Sequence, residues 1–123
     1  MQKSFPKEAL VVEDEPLIRM VAADALADGG IMAWEAGNAD EALEVLEQRP
    51  KIGVVFTDVN MPGEMDGLDL AHEVSALRPD VKVIVTSAAT AVSKDDLPPD
   101  GTFLAKPYPT KQMVSMVSRK LDG

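Results

Sequence analysis

One stretch decides the fold, and it reads Val54-Val55-Phe56-Thr57-Asp58-Val59-Asn60-Met61-Pro62-Gly63. It opens with a run of strand-forming residues that is apolar on both faces, which is typical of a central strand in a parallel sheet. Pro62 and Gly63 then prevent the strand from continuing. The pattern predicts a buried strand that ends at Asp58 and delivers its carboxylate to the edge where ligands of parallel sheets bind.

Strand and helix patterns alternate along the rest of the chain. The predicted strands cover residues 9–12, 31–36, 54–58, 83–87 and 102–105, and the predicted helices cover residues 16–28, 39–49, 67–77 and 110–121. This alternation is typical of parallel strands joined by right-handed helical crossovers, so it predicts an open, doubly wound, five-stranded α/β sheet. Residues 88–101 contain Pro98 and Pro99, which leave room only for a short or irregular fourth helix near Ser93.

Length, composition and charge limit the possible functions. The 123 residues are 46% hydrophobic, which suits one compact domain over the whole chain. Twenty-one acidic and twelve basic residues give a net charge of −9, the wrong sign for binding nucleic acid or anionic lipid directly. Without cysteine, thiolate metal sites are excluded. The N-terminal apolar run, residues 9–12, is too short for a signal peptide or membrane span, which predicts a cytoplasmic protein.

Polar residues follow four of the five predicted strands. Glu13 and Asp14 follow the first strand, Asp58 ends the third, Ser87 ends the fourth and Lys106 follows the fifth. Crowded carboxylates raise one another's pKa unless a cation offsets them, and carboxylate and carbonyl oxygens suit Mg²⁺. The residues therefore indicate a magnesium site, although each alone has an ordinary structural explanation such as a helix N-terminus or a strand end. The single histidine, His72, lies in the middle of a helix and is interpreted as a surface or packing residue.

Taken together, these motifs resemble the receiver domain of bacterial two-component response regulators over about residues 8–121. The resemblance rests on Val11-Val12-Glu13-Asp14-Glu15, on Asp58 with Met61-Pro62-Gly63 and Asp66-Gly67, on Thr86-Ser87-Ala88, and on Phe103-Leu104-Ala105-Lys106-Pro107. It implies the flavodoxin-like strand order 2-1-3-4-5. It also implies a phospho-accepting signalling protein, not an enzyme acting on an external substrate.

The resemblance assigns a role to each site residue. Asp58 is implied as the phospho-acceptor, and Mg²⁺ is implied to bind Asp14, Asp58, the backbone carbonyl of Asn60 and, through water, Glu13. Ser87 and Lys106 are implied to stabilise the phosphoryl group. Ser87 and Phe103 are the implied switch pair, although a Phe in a short strand is more often a core residue. A cis Lys106-Pro107 peptide bond is also expected.

The same resemblance implies partners and leaves alternatives open. The phosphodonor would be a sensor histidine kinase or a histidine phosphotransfer protein docking on the first helix, and the output would be an unknown protein target. Ala89 offers no side chain to guide a hydrolytic water, which predicts slow self-dephosphorylation, and residues 63–65 are expected to lengthen the loop over the site.

Two rival functions differ from this interpretation. A receiver fragment of a larger DNA-binding regulator is one, although Met1 and the lack of a linker after Leu121 favour a stand-alone domain. A haloacid-dehalogenase-like phosphatase is the other, but that family wants an Asp where this chain has Asn60.

Overall fold

The structure is a computed structural model that describes residues 7–88 and 91–122. Five parallel strands form one sheet in the order β2-β1-β3-β4-β5, which confirms the predicted doubly wound topology. The strands are β1 (Lys7–Val12), β2 (Ile31–Ala36), β3 (Ile52–Asp58), β4 (Lys82–Ser87) and β5 (Thr102–Ala105). β3 lies at the centre, as expected from its apolar sequence, and all but one of its residues are buried.

Four α-helices cover the two faces of the sheet among the described residues: α1 (Pro16–Asp28), α2 (Ala39–Gln48), α3 (Gly67–Leu77) and α4 (Thr110–Asp122). Two of them, α2 and α3, are capped at their N-termini by side chains. Asn38 Oδ1 accepts a 2.8 Å hydrogen bond from the Glu41 amide at the start of α2. Asp66 and Asp69 form a reciprocal capping box at the start of α3. Such caps satisfy amide groups that have no partner within the helix.

The connection between β4 and β5 contains one short 3₁₀ turn, Lys94–Asp96, within its described part. This finding agrees with the predicted stunted fourth helix. His72 on α3 reaches this turn, since its Nε2 lies 2.8 Å from the backbone oxygen of Asp96. The histidine thus links α3 to the 3₁₀ turn. Ala89, on which the expectation about dephosphorylation depends, lies outside the described residues.

The hydrophobic core has two parts, one on each face of the sheet. One part includes Leu10, Val55 and Val85 with the inner faces of α2 and α3. The other includes Val54, Phe56 and Ile84 with the inner faces of α1 and α4. Alternate residues of β3 and β4 point to opposite faces, so each of these strands contributes to both parts.

The apolar residues of α1 do not all face the core. The periodic residues Leu17, Met20 and Val21 are 69%, 48% and 53% exposed, while Ala22, Ala23 and Leu26 are buried. The buried side of α1, which contacts β2, thus consists of two alanines and one leucine. The apolar spacing therefore predicts the helix correctly but does not identify its buried face.

Candidate functional site

The register of the sheet brings the predicted site residues to one edge. Val12 pairs with Thr57, so the residues that follow them, Glu13 and Asp58, leave β1 and β3 at the same level. Ser87 pairs with Ala105, so Lys106 leaves β5 one residue beyond Ser87, and its amide donates to Ser87 O at 3.1 Å. Parallel strands end at a common edge, and for this reason residues far apart in sequence meet here.

Three carboxylates cluster at this edge. One oxygen each of Glu13, Asp14 and Asp58 lies within 4.8 Å of the other two. Glu13 and Asp58 are 5% and 8% exposed, whereas Asp14 is exposed to solvent. Burial is the main cause that raises the pKa of Glu13, and the charge of Asp58 adds to it. The site therefore concentrates negative charge in a partly dehydrated position.

Lys106 faces two of these carboxylates. Its Nζ lies 3.3 Å from Asp58 Oδ2 and 3.3 Å from Glu13 Oε1. Burial opposes the charge of the ammonium, but the Asp58 and Glu13 carboxylates together outweigh burial and raise the pKa of Lys106. The lysine is therefore a fixed positive charge beside Asp58 at neutral pH.

Ser87 and Asn60 complete the edge on the β4 side. Ser87 is 3% exposed, and its Oγ accepts a 3.2 Å hydrogen bond from Asn60 Nδ2. The Asn60 backbone amide lies 3.4 Å from Asp58 Oδ1. The sequence singled out Asn60 only for its backbone carbonyl, and it contained no signal for the side-chain contact with Ser87.

Backbone hydrogen bonds fix the loop between β3 and α3 next to the site. The Val59 amide donates to Thr86 O at 2.9 Å, and the Gly67 amide donates to Val59 O at 2.9 Å. A methyl group at Gly67 would overlap the backbone of the β3 end, lying 2.6 Å from the Asp58 carbonyl carbon. Only glycine allows α3 to begin so close to Asp58. A glycine at the first position of a helix was the sequence signal for this close approach.

The structure also places the remaining predicted residues. The Lys106-Pro107 peptide bond is cis, which confirms the prediction. Phe103 is half-buried and packs against the α2 and α3 side of the core, as a core phenylalanine would. Its role as a switch stays a prediction.

Tyr108 is a neighbour of the site that sequence reasoning missed. Its half-buried ring makes an edge contact with Phe56, with ring centroids 5.7 Å apart. Burial raises the pKa of its hydroxyl. An aromatic residue two positions after Lys106 was the available signal.

The side chains at this edge fit a hard divalent cation. The three clustered acids offer only oxygen, and the described residues contain one histidine, which lies on α3 next to the 3₁₀ turn. Oxygen ligands without nitrogen or sulfur suit Mg²⁺ better than zinc or other softer metals. One ammonium against three carboxylates also leaves a negative charge that such an ion would offset.

Comparison with known proteins identifies the type of domain. The sequence pattern that defines the response regulator receiver domain matches residues 9–118. The chain is 32% identical to the response regulator receiver protein CpdR of Brucella abortus, over 94% of this chain and 97% of that protein. It is 38% identical to the sensor kinase CckA of Brucella abortus, over 92% of this chain.

Solved structures agree with this comparison. A response regulator receiver protein from Pseudomonas putida superposes with a TM-score of 0.85 at 31% identity, covering 95% of this chain and 99% of that one. The chain spans nearly all of CpdR but only 12% of CckA. Within the described residues, none of the helices has the length and apolar character needed to cross a membrane.

Proposed function

We propose, since the chain belongs to the family of response regulator receiver domains, that it takes a phosphoryl group onto Asp58 and signals through a change of conformation. One observation carries the proposal. Asp58 ends the central strand beside two further carboxylates, and the Lys106 ammonium lies 3.3 Å from both Asp58 and Glu13. A nucleophilic carboxylate with a cation beside it is the arrangement that phosphoryl transfer requires.

The donor in this proposal is a phosphohistidine of a sensor histidine kinase or a histidine phosphotransfer protein. An Asp58 oxygen forms a bond to phosphorus as the phosphorus–nitrogen bond breaks, and the imidazole leaves with both electrons and takes a proton. Lys106 neutralises one phosphoryl oxygen, and the Ser87 hydroxyl donates to another. The product is an acyl phosphate on Asp58.

Mg²⁺ is the proposed cofactor. Asp14, Asp58 and the backbone carbonyl of Asn60 would hold it directly, and Glu13 would act through water. When bound, the ion supplies positive charge that offsets repulsion between the acids and the incoming phosphoryl group. The Glu13 carboxylate already accepts hydrogen bonds from Lys106 and from the Glu15 amide, which suits a less direct role.

The exposed side of α1 is the proposed docking surface for the donor. α1 begins two residues after Asp14, and Leu17, Ile18 and Val21 line a cavity of about 270 Å³ with Tyr108 and Thr110. Exposed apolar side chains that form a group are typical of surfaces that bind another protein. Their position beside the acidic cluster suits a partner that must bring its histidine to Asp58.

We further infer that Ser87 and Phe103 transmit phosphorylation. A phosphoryl group on Asp58 would draw the Ser87 hydroxyl toward it, and the half-buried Phe103 would turn into the space that becomes available. The two states need to differ by only a few kcal/mol for this shift to matter. The output surface in this proposal is formed by the connection before β5, by β5 and by α4. We expect its shape to differ from the usual receiver surface, because the described part of that connection contains only a short 3₁₀ turn, Lys94–Asp96.

The whole chain, residues 1–123, is proposed as one receiver domain that acts through protein contacts, with no direct binding of nucleic acid or membrane. A receiver segment of a DNA-binding regulator stays the alternative. A haloacid-dehalogenase-like phosphatase activity is disfavoured, because such a phosphatase needs a carboxylic acid at the position of Asn60. The Asn60 side chain is an amide, and it contacts Ser87. The predicted slow loss of the phosphoryl group would be contradicted by a half-life of seconds.

Mass spectrometry after incubation with acetyl phosphate and Mg²⁺ tests the acceptor. The parent protein should gain the mass of one phosphoryl group, and Asp58→Ala should gain none. Asp40→Ala removes an exposed acid from α2 and is the matched control, which should be phosphorylated like the parent. A phosphoryl group retained by Asp58→Ala would place the acceptor elsewhere, and steady hydrolysis of a phosphomonoester would favour the phosphatase.

A further inference from the structure

The side chain of Asn60 links the acceptor strand to the hydroxyl on the next strand. Asn60 lies two residues after Asp58 and is exposed, yet its Nδ2 donates to the buried Ser87 Oγ at 3.2 Å. Its backbone amide lies 3.4 Å from Asp58 Oδ1. One loop residue therefore contacts both the acceptor carboxylate and the hydroxyl proposed to bind the phosphoryl group.

The chemistry of this bond defines the role of the Ser87 hydroxyl. The amide nitrogen can only donate, whereas a hydroxyl has one hydrogen to donate and two lone pairs to accept with. In the bond to Asn60, Ser87 is the acceptor, so this bond does not use the hydroxyl hydrogen. A phosphoryl oxygen can only accept, so Ser87 must donate its hydrogen to it. The two bonds are compatible and can exist together.

We propose that Asn60 is a positioning residue for phosphoryl transfer. Its side-chain amide holds the Ser87 oxygen, and the hydroxyl hydrogen is then directed to a phosphoryl oxygen on Asp58. This inference rests on the proposed function of Asp58 and Ser87. It adds a role for the Asn60 side chain that is separate from the role proposed for its backbone carbonyl.

The size of the effect follows from what the bond restricts. A serine side chain has three staggered positions, and holding one of them is worth about threefold in the population that is ready to react. The bond is a neutral one, so the preference that it can impose on the hydroxyl does not exceed about tenfold. Loss of the amide should therefore slow phosphorylation of Asp58 by about three- to tenfold.

A double-mutant cycle tests the proposal. The parent, Asn60→Ala, Ser87→Ala and the double variant are phosphorylated with acetyl phosphate in saturating Mg²⁺, and the initial rate is followed by mass spectrometry. Asn60→Ala should slow the parent by about three- to tenfold but change the Ser87→Ala protein by less than about twofold, because the amide acts through the hydroxyl. Glu64→Ala, an exposed residue of the same loop, is the matched control and should change neither background.

The outcomes separate this inference from the proposed function. Equal slowing by Asn60→Ala in both backgrounds would show an effect on the backbone or on Mg²⁺ and would overturn the inference. An Asn60→Ala protein that is phosphorylated as fast as the parent would overturn it as well. A parent protein that is not phosphorylated on Asp58 would overturn the proposed function and the inference with it. Thermal unfolding of each variant, followed by circular dichroism, shows that the compared proteins are folded.

Discussion

Replacing Lys106 with methionine should destabilise the protein by an amount that depends strongly on pH. Methionine keeps an unbranched apolar side chain of similar length but removes the ammonium that lies 3.3 Å from both Asp58 and Glu13. At an effective dielectric constant of about 20, each of these contacts has a Coulomb energy of about 5 kcal/mol before desolvation is subtracted. The Asp58 and Glu13 carboxylates are nearly buried, so water cannot fully solvate their negative charges once the ammonium is gone.

Proton uptake sets an upper limit on this loss. In the variant Glu13 can escape the repulsion by binding a proton, which costs an ordinary carboxyl of pKa 4.5 about 3.4 kcal/mol at about pH 7. At about pH 5 the same proton costs only about 0.7 kcal/mol. The folded-state pKa of Glu13 is already raised in the parent, and loss of the Lys106 charge raises it further above the unfolded value. The folded variant therefore binds more protons than the parent and loses more stability as the pH rises. We expect a loss of about 2 to 3 kcal/mol at neutral pH that nearly disappears at pH 5.

Urea unfolding in a chelator at both pH values measures the effect. Lys82→Met is the matched control, since Lys82 forms a more exposed 3.8 Å ion pair with Asp100 and should cost less than about 1 kcal/mol at either pH. Excess Mg²⁺ should restore much of the stability of the Lys106 variant. A Lys106→Met protein as stable as the parent at neutral pH would refute the idea that the ammonium balances buried carboxylates.

Three further predictions concern the residues that shape the site. Gly67→Ala should lower the free energy of unfolding in urea by about 3 kcal/mol or more and slow phosphorylation, because the new methyl group overlaps the end of β3. Gly37→Ala is the control: its methyl group meets only flexible side chains, so the loss should be less than about 1 kcal/mol. Asp66→Ala removes the cap of α3 and should lower the unfolding free energy by about 1 kcal/mol, and an unchanged value would contradict the capping role. Removing Mg²⁺ should lower the melting temperature less at about pH 5 than at neutral pH, because the raised pKa of Glu13 leaves a larger fraction of this carboxyl protonated in acid. An equal decrease of the melting temperature at both pH values would argue against Glu13 as part of the ion site.

The sequence alone was sufficient for the order of elements and for the edge that holds the site. An apolar run that stops at a carboxylate predicts β3 and the place of Asp58, because a strand buried on both faces tolerates few polar residues. Short-range signals for a helix start are also present in the sequence: Asn38 lies three residues before Glu41, and this pair forms the observed cap of α2. The shortened connection before β5 was equally visible in Pro98 and Pro99.

Tertiary structure decided which side chains touch. Trp34 Nε1 donates to the nearly buried Glu8 at 2.8 Å across β1 and β2, and the guanidinium of Arg49 lies 4.2 Å from the centroid of the Trp34 ring. The sequence contained no signal for these pairs. The exposed side of α1 was equally hidden, because an apolar helix pattern looks the same whether small or large residues face the sheet.

The contacts of the site belong to this second group. Residue type placed Lys106 and Asn60 near the sheet edge, but the angle at which each chain segment leaves the sheet decides that Lys106 bridges two acids and that Asn60 reaches Ser87. Spacing along a chain determines periodicity and local caps. Distances between side chains from different strands depend on register, twist and packing, which only the assembled sheet defines.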